Sequence, residues 1–288
     1  DLRTYFRDVL SNSTPGRSDW KESWAGGGSV SWHSGRLADL ISGGMTLYTS
    51  FPLYGPLDRD GAQLLLTGQQ RYGVVGQLYG KVHIADDHEF VAGRYRYDTP
   101  FLGPQDNRMS RKTFYGYALK GQFGDPETGP AFRYGGGYIA SMKDRNATEF
   151  VAMSIAAGAA DPRGTGVAGG VLNWGPARIG AIEYYTQDTI NIAYGEAKIG
   201  HSLSSGLHAT VSAQFVDQRS TGANLLNGGV PFATNQFGIQ GQLGYETAIL
   251  TLAYTTVNPG LNIQTPWSAN PFYTDALVNS FNPRARAP

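Results

Sequence analysis

The stretch Gln236-Phe-Gly-Ile-Gln-Gly-Gln-Leu-Gly-Tyr245 decides the fold: Phe237, Ile239, Leu243 and Tyr245 fall on one face, and Gln236, Gln240 and Gln242 on the other. The period is two, as in a half-wetted strand, and not the 3.6 of a helix. The preceding segment splits in the same way, with Leu207, Ala209, Val211, Ala213 and Phe215 against His208, Thr210, Ser212 and Gln214. Tyr72, Val74, Leu78, Val82 and Ile84 oppose Arg71, Gln77, Tyr79, Lys81 and His83, while Tyr115, Tyr117, Leu119 and Phe123 oppose Lys120 and Gln122. Antiparallel strands with one apolar and one polar face produce this pattern.

Working outward gives thirteen such segments, at 1–9, 20–33, 37–48, 71–84, 88–97, 113–123, 131–141, 166–174, 177–186, 189–200, 206–217, 234–245 and 248–257. Long connectors (Ser11 to Asp19, Asp98 to Lys112, Ser141 to Thr165, Gln218 to Ala233, Val257 onward) alternate with short ones (Ala85 to Asp87, Gly175-Pro176, Glu246-Thr247). Gln187-Asp188 alone is short where a long connector is due. Short turns on one rim and long loops on the other mark an up-and-down barrel in an outer membrane.

Composition agrees. Glycine supplies 39 of 288 residues, roughly twice the usual share of about 7%, which suits tilted, curved strands. No stretch reaches the roughly 18 apolar residues of a spanning helix, a test to which strands of about 10 alternating residues are blind. With 23 basic and 23 acidic side chains there is no footprint for nucleic acid. The absence of cysteine excludes disulfides and thiolate zinc sites. Trp20, Trp24, Trp32, Tyr95, Tyr97, Tyr115 and Tyr117 lie near strand ends, where interfacial girdles are placed. Thirteen strands do not close an even-numbered barrel, so a single barrel domain over 1–288, incomplete at its C-terminus, is expected.

Five runs carry a resemblance to a known family: Arg96-Tyr-Asp-Thr-Pro-Phe-Leu-Gly-Pro-Gln-Asp-Asn-Arg-Met109 with Thr113-Phe-Tyr-Gly-Tyr117; Gly137 through Ser154; Asp188 to Ala197; Phe215 to Gly222; and Ile263-Gln-Thr-Pro-Trp267. In order and over nearly the whole chain, they resemble the OprD-family porins of Gram-negative bacteria. The resemblance implies an all-β barrel of eighteen strands, about thirteen of them present here, with long extracellular loops folding into a narrow pore. It implies passive diffusion of small carboxylate-bearing solutes (amino acids, small organic acids, related antibiotics), no cofactor and no catalysis. It places the protein among outer-membrane lipid and lipopolysaccharide, as a monomer or weak trimer. Phe281-Asn-Pro-Arg-Ala-Arg286 departs from the family pattern in the last loop.

With the apolar faces turned to lipid, alternation points Arg3 and Arg7 inward opposite Leu2, Thr4 and Phe6, and Lys81, Lys120 and Arg133 to the same side. Arg94 and Arg96 are expected inward as the leading pair, with Val91, Gly93, Tyr95 and Tyr97 outward. Several weak cationic sites draw carboxylates through without trapping them, and the resemblance implies such a basic ladder. The apolar, small-residue segment 147–160 is expected to fold into the barrel, with Lys143, Asp144, Arg145 and Glu149 at its start pinning it or meeting solute. Asp106 and Arg108 on the third loop share those two readings, and Tyr273 and Asp275 are candidates for the cationic end of an amino-acid-like solute. The register of 189–200 leaves open whether Glu196, Lys198 and, by the same uncertainty, Arg178 face the pore.

Catalytic patterns are thin. His83-Ile-Ala-Asp-Asp-His88-Glu89 has metal-ligating residue types but straddles a hairpin turn, where alternation scatters them over both faces. There is no phosphate-binding glycine loop and no nucleophile-elbow sequence. The competing readings are a soluble all-β enzyme or carbohydrate-binding domain and, more remotely, an adhesin barrel. A soluble domain has no reason for the alternation of long and short connectors, and an adhesin barrel would be expected to carry a passenger domain.

Overall fold

A computed structural model describes residues 1–14, 17–204, 206–267, 269 and 271–274. Its strands are β1 (Leu2–Thr14), β2 (Arg17–His33), β3 (Ile41–Tyr54), β4 (Tyr72–Ala85), β5 (His88–Tyr95), β6 (Thr113–Phe123), β7 (Ala131–Lys143), β8 (Val151–Ala152), β9 (Thr165–Trp174), β10 (Ala177–Thr186), β11 (Ile190–Ser204), β12 (Leu207–Arg219), β13 (Ala233–Tyr245) and β14 (Ala248–Val257). Each pairs antiparallel with its sequence neighbour, except that β7 pairs directly with β9 and the two-residue β8 only extends β7. The thirteen wall strands correspond to the thirteen expected segments. β1 to β3 differ most, because they run farther toward the long-loop rim. Among the described residues β1 and β14 have one partner each, so the sheet is open. No helix among the described residues is long and apolar enough to cross a membrane; the strands are the elements of spanning length.

The two faces differ as alternation requires. Val30, Leu78, Ile179, Val211, Phe237, Leu252 and Tyr254 point outward and are exposed, Leu252 by 69% and Val30 by 73%. Exposed apolar side chains repeated strand after strand are far more than a water-soluble surface tolerates, and they suit hydrocarbon. Trp20, Trp24, Trp32, Tyr115 and Tyr117 are likewise exposed. On the inner face a core forms around Phe101, Phe114, Ile139, Met153, Tyr184, Ile192 and Trp267, built from wall residues and from connectors turned inward.

Bulges change which residues face inward. Between β3 and β4, Thr46 pairs with Gln77 but Leu47 with Val75, which skips Gly76. An extra residue reverses strand parity. Tyr72 and Val74, expected outward with Leu78, are therefore buried on the inner side against Tyr48, whereas Leu78, Val82 and Ile84 remain outside.

The short connector 187–189 on the long-loop rim is covered by a neighbour. The Asp188 carboxylate accepts the Ala223 N–H at 3.1 Å, its carbonyl accepts that of Leu225 at 2.8 Å, and the Thr221 hydroxyl donates to Thr186 C=O at 2.8 Å. Gly222 makes this possible: its φ is +50°, and a Cβ there would stand 2.0 Å from Asp188 Oδ1. The loop between β12 and β13 thus covers the β10–β11 turn.

Candidate functional site

Three connectors build the interior. Residues 55–71 are anchored where Ser50 Oγ donates to Leu64 C=O at 2.8 Å, and Leu64 packs with Ala25 and Met109. Residues 96–112 insert Phe101 into the aromatic core; its N–H donates to Tyr184 Oη at 3.1 Å, and that hydroxyl donates to Thr99 Oγ1 at 2.8 Å. Residues 144–164 fold inward as expected of 147–160, forming β8 and the single turn α1 (Met153–Ala157), which Gly158 closes in the left-handed conformation. Trp267 Nε1 donates to Met153 C=O at 3.0 Å, with both residues fully buried.

Where these connectors meet β1, cations gather. Arg7 donates to Ala62 C=O at 2.8 Å and to Gln63 Oε1 at 3.3 Å. Arg145 reaches Asn107 Oδ1 at 2.6 Å and the same Gln63 oxygen at 3.4 Å. Arg108 donates to Asn107 C=O at 2.6 Å, while its Nε is buried without a partner. Neither Arg7 nor Arg108 has an ion pair among the described residues. Burial first, then the charges of Arg7 and Arg145, pull the Arg108 guanidinium down to about 10; burial also lowers Arg145. The three guanidiniums therefore stand close enough to repel one another, a condition that an anion relieves.

Carboxylates hold the periphery of this cluster. Arg3 is paired with Asp1 at 2.6 Å and with Asp106, which also binds Arg111. Against burial, which by itself raises it, hydrogen bonds from Arg3 and Arg111 hold the Asp106 carboxyl below its usual value. Asp144 lies 3.4 Å from Lys112 and 3.8 Å from Arg145. The fully buried Lys143 donates to Asp144 C=O at 2.7 Å and Ser110 Oγ at 3.2 Å, joining two inward connectors.

Toward the short-turn rim opens a cavity of about 940 Å³ whose lining includes Arg96, Lys120, Arg133, Arg178, Glu89 and Glu196. Lys81 and Lys120 share the Glu89 carboxylate at 3.0 and 2.8 Å, so one anion offsets half the charge of two of the expected ladder cations. Arg133 lines the cavity and is exposed, with no ion pair among the described residues. The register settles the open positions: Glu196 pairs across from Gly180 and Lys198 from Arg178, on the inner face with Ile192 and Tyr194.

The expected faces of β5 are reversed. Tyr95 lies against Tyr79 with ring centroids 4.6 Å apart and beneath Lys81 and Lys120, and Tyr97 packs on Phe114, so both tyrosines are inside. Val91, also expected outside, is fully buried. Arg94 stands in register between the exposed Leu78 and Tyr115, its guanidinium turned to Val75 C=O at 3.0 Å and over the Phe150 ring. Arg96, beyond the strand end, lines the cavity; the two arginines do not act as a pair one pleat apart. The error came from taking aromatics as outward, whereas the wall here packs against a loop-filled interior.

Glu149 is exposed and has no ion pair among the described residues. Tyr273 is half-buried, its hydroxyl pushed up to about 12 by burial and then by Glu196. Asp275 lies outside the described residues. Among those residues no three His, Asp or Glu side chains are placed to hold a metal. Sequence patterning did not find Gln63 or Asn107, which stand in irregular connectors where no period applies.

No family model and no curated protein matches the sequence. Solved structures do. OccK9 (OpdG) of Pseudomonas aeruginosa aligns with a TM-score of 0.78 at 20% identity, over 95% of this chain and 71% of that one. A BenF-like porin from Pseudomonas fluorescens Pf-5 gives 0.76 at 15%, over 98% and 71%. Pseudomonas aeruginosa OpdK with vanillate gives 0.72 at 17%, over 91% and 67%. The structures matched are porins of the OprD/Occ family, and at these identities the likeness establishes the fold: this chain has the antiparallel up-and-down barrel wall that those porins have.

Proposed function

We propose that this chain is the greater part of an OprD-type porin of a Gram-negative outer membrane, a passive channel for small carboxylate-bearing solutes. The observation that carries this is the convergence of Arg7, Arg108 and Arg145 on the inner side of a wall whose outer face is apolar. Arg7 and Arg108, held by neutral amides and carbonyls, keep their charge available to a passing anion, while Arg145 beside them also lies 3.8 Å from Asp144. Arg96, Arg133, Arg178 and Lys198 extend cationic positions toward the short-turn rim. OpdK, solved with vanillate, supports a carboxylate as the solute class. A barrel of eighteen strands, surrounded by lipid and lipopolysaccharide as a monomer or weak trimer, completes the proposal.

The test is single-channel current from the full-length protein in a planar bilayer under asymmetric salt, with benzoate added. Anion-selective openings that benzoate blocks, and that lose selectivity in Arg7→Ala/Arg145→Ala, support the proposal. A folded, detergent-extracted barrel without openings would overturn it.

A further inference from the structure

On the inner face of β12, β13 and β14 no position given by alternation is Asp, Glu, Lys or Arg; among them are Thr210, Ser212, Gln214, Val216 and Gln218 on β12, Gln236, Gly238, Gln240 and Gln242 on β13, and Thr251, Ala253 and Thr255 on β14. The neighbouring β10 and β11 present Arg178, Glu196 and Lys198. One cross-strand row joins the two kinds of wall, running Arg178, Lys198, Ser212, Gln240. Arg178 and Lys198 are exposed on the inner face and have no ion pair among the described residues; Ser212 between them and Gln240 is buried, and the half-buried Gln240 amide makes no hydrogen bond to either cation. Like charges directly opposite each other, as Arg178 and Lys198 are, destabilise a sheet unless something anionic lies between them. Amides with uncommitted donors and acceptors favour groups that return both.

We infer that the Arg178–Lys198–Ser212–Gln240 row is a subsite for hydroxylated carboxylates, the cations taking the carboxylate and the Gln240 amide, across the buried Ser212, the solute's hydroxyl groups. Adjacent strands are about 4.8 Å apart, so Lys198 and Gln240 are separated by about 10 Å, which their inward-leaning side chains reduce to the span of a chain of about five or six carbons. An aldonic acid has this chemistry and a plain fatty acid of equal length does not. The inference rests on the channel proposal and names a solute class for it.

The test is flux of gluconate and of hexanoate, alike in carbon number and charge, into liposomes holding the full-length protein. Gln240→Leu should lower the gluconate-to-hexanoate flux ratio by about threefold to tenfold, the worth of one or two hydrogen bonds, and Gln240→Asn should restore part of it. Lys198→Met should slow both solutes alike. An unchanged ratio in Gln240→Leu, or equal loss of both fluxes, overturns the subsite while leaving the channel standing. Passage of neither solute through the folded wild-type protein overturns the channel and the subsite with it.

Discussion

Two stretches of the same wall use the inner pleat differently. From β4 to β7 it bears Lys81, Glu89, Lys120 and Arg133, partly neutralised by one another and roofed by connectors that bring Arg108 and Arg145. From β12 to β14 the equivalent positions are mostly glutamine, serine and threonine and include no Asp, Glu, Lys or Arg, roofed by the stretch around Ile263 and Trp267, where Gln218 Nε2 donates to Gln264 C=O at 2.7 Å. Strand alternation is identical in both. The chemical difference lies in what the polar positions carry, which the shared fold leaves free.

The largest expected effect breaks the roof of the neutral stretch. Trp267 is fully buried and joins Met153 to Tyr184, so Trp267→Ala should destabilise the barrel by about 3–5 kcal/mol, read as a lower unfolding temperature in detergent. Next is the pin of the charged stretch. Lys143→Met keeps the bulk and removes the ammonium that holds Ser110 and Asp144; a loss of about 1–3 kcal/mol is expected, with faster proteolysis between 96 and 112. No change in Lys143→Met would mean that the connectors of the charged stretch are held by apolar contacts alone.

A smaller effect is one of pH. The folded Asp106 carboxyl lies below its usual value, so its pairing with Arg3 and Arg111 stabilises the connector above the unfolded value of about 3.9 and is lost as pH falls through the lowered one. Channel noise should rise on acidification below about pH 4, and Asp106→Asn should show that noise already at neutral pH. The smallest effect sharpens the contrast: Gln242→Lys places a cation on the neutral wall, and the reversal potential should shift toward anions by a few millivolts, since one exposed charge in a wet lumen is strongly screened.

Much of this was legible beforehand. The period-two runs located all thirteen wall strands, and the unequal connectors separated the rims, because a half-wetted strand writes its two solvents into alternate residues. The inward turn of 147–160 was legible from its apolar, uncharged composition. The parity of β5 and the upper part of β4 was not: a bulge at Gly76 and an aromatic interior around Tyr95 and Tyr97 depend on partners from other strands and loops. Arg7 was legible as inward, but its meeting with Gln63 and Arg145 was not, since those residues are 56 and 82 positions apart from their partners.

By itself, then, the sequence determined an antiparallel wall with one apolar and one polar face and two unlike rims, since both follow from the period and spacing of neighbouring residues. Only the tertiary structure decided that Arg7, Arg108 and Arg145 converge, that Lys81 and Lys120 share Glu89, and that Arg178 and Lys198 stand side by side. Those arrangements depend on strand register and on the path of the connectors, and each is set by contacts between residues remote in sequence, which no local pattern encodes.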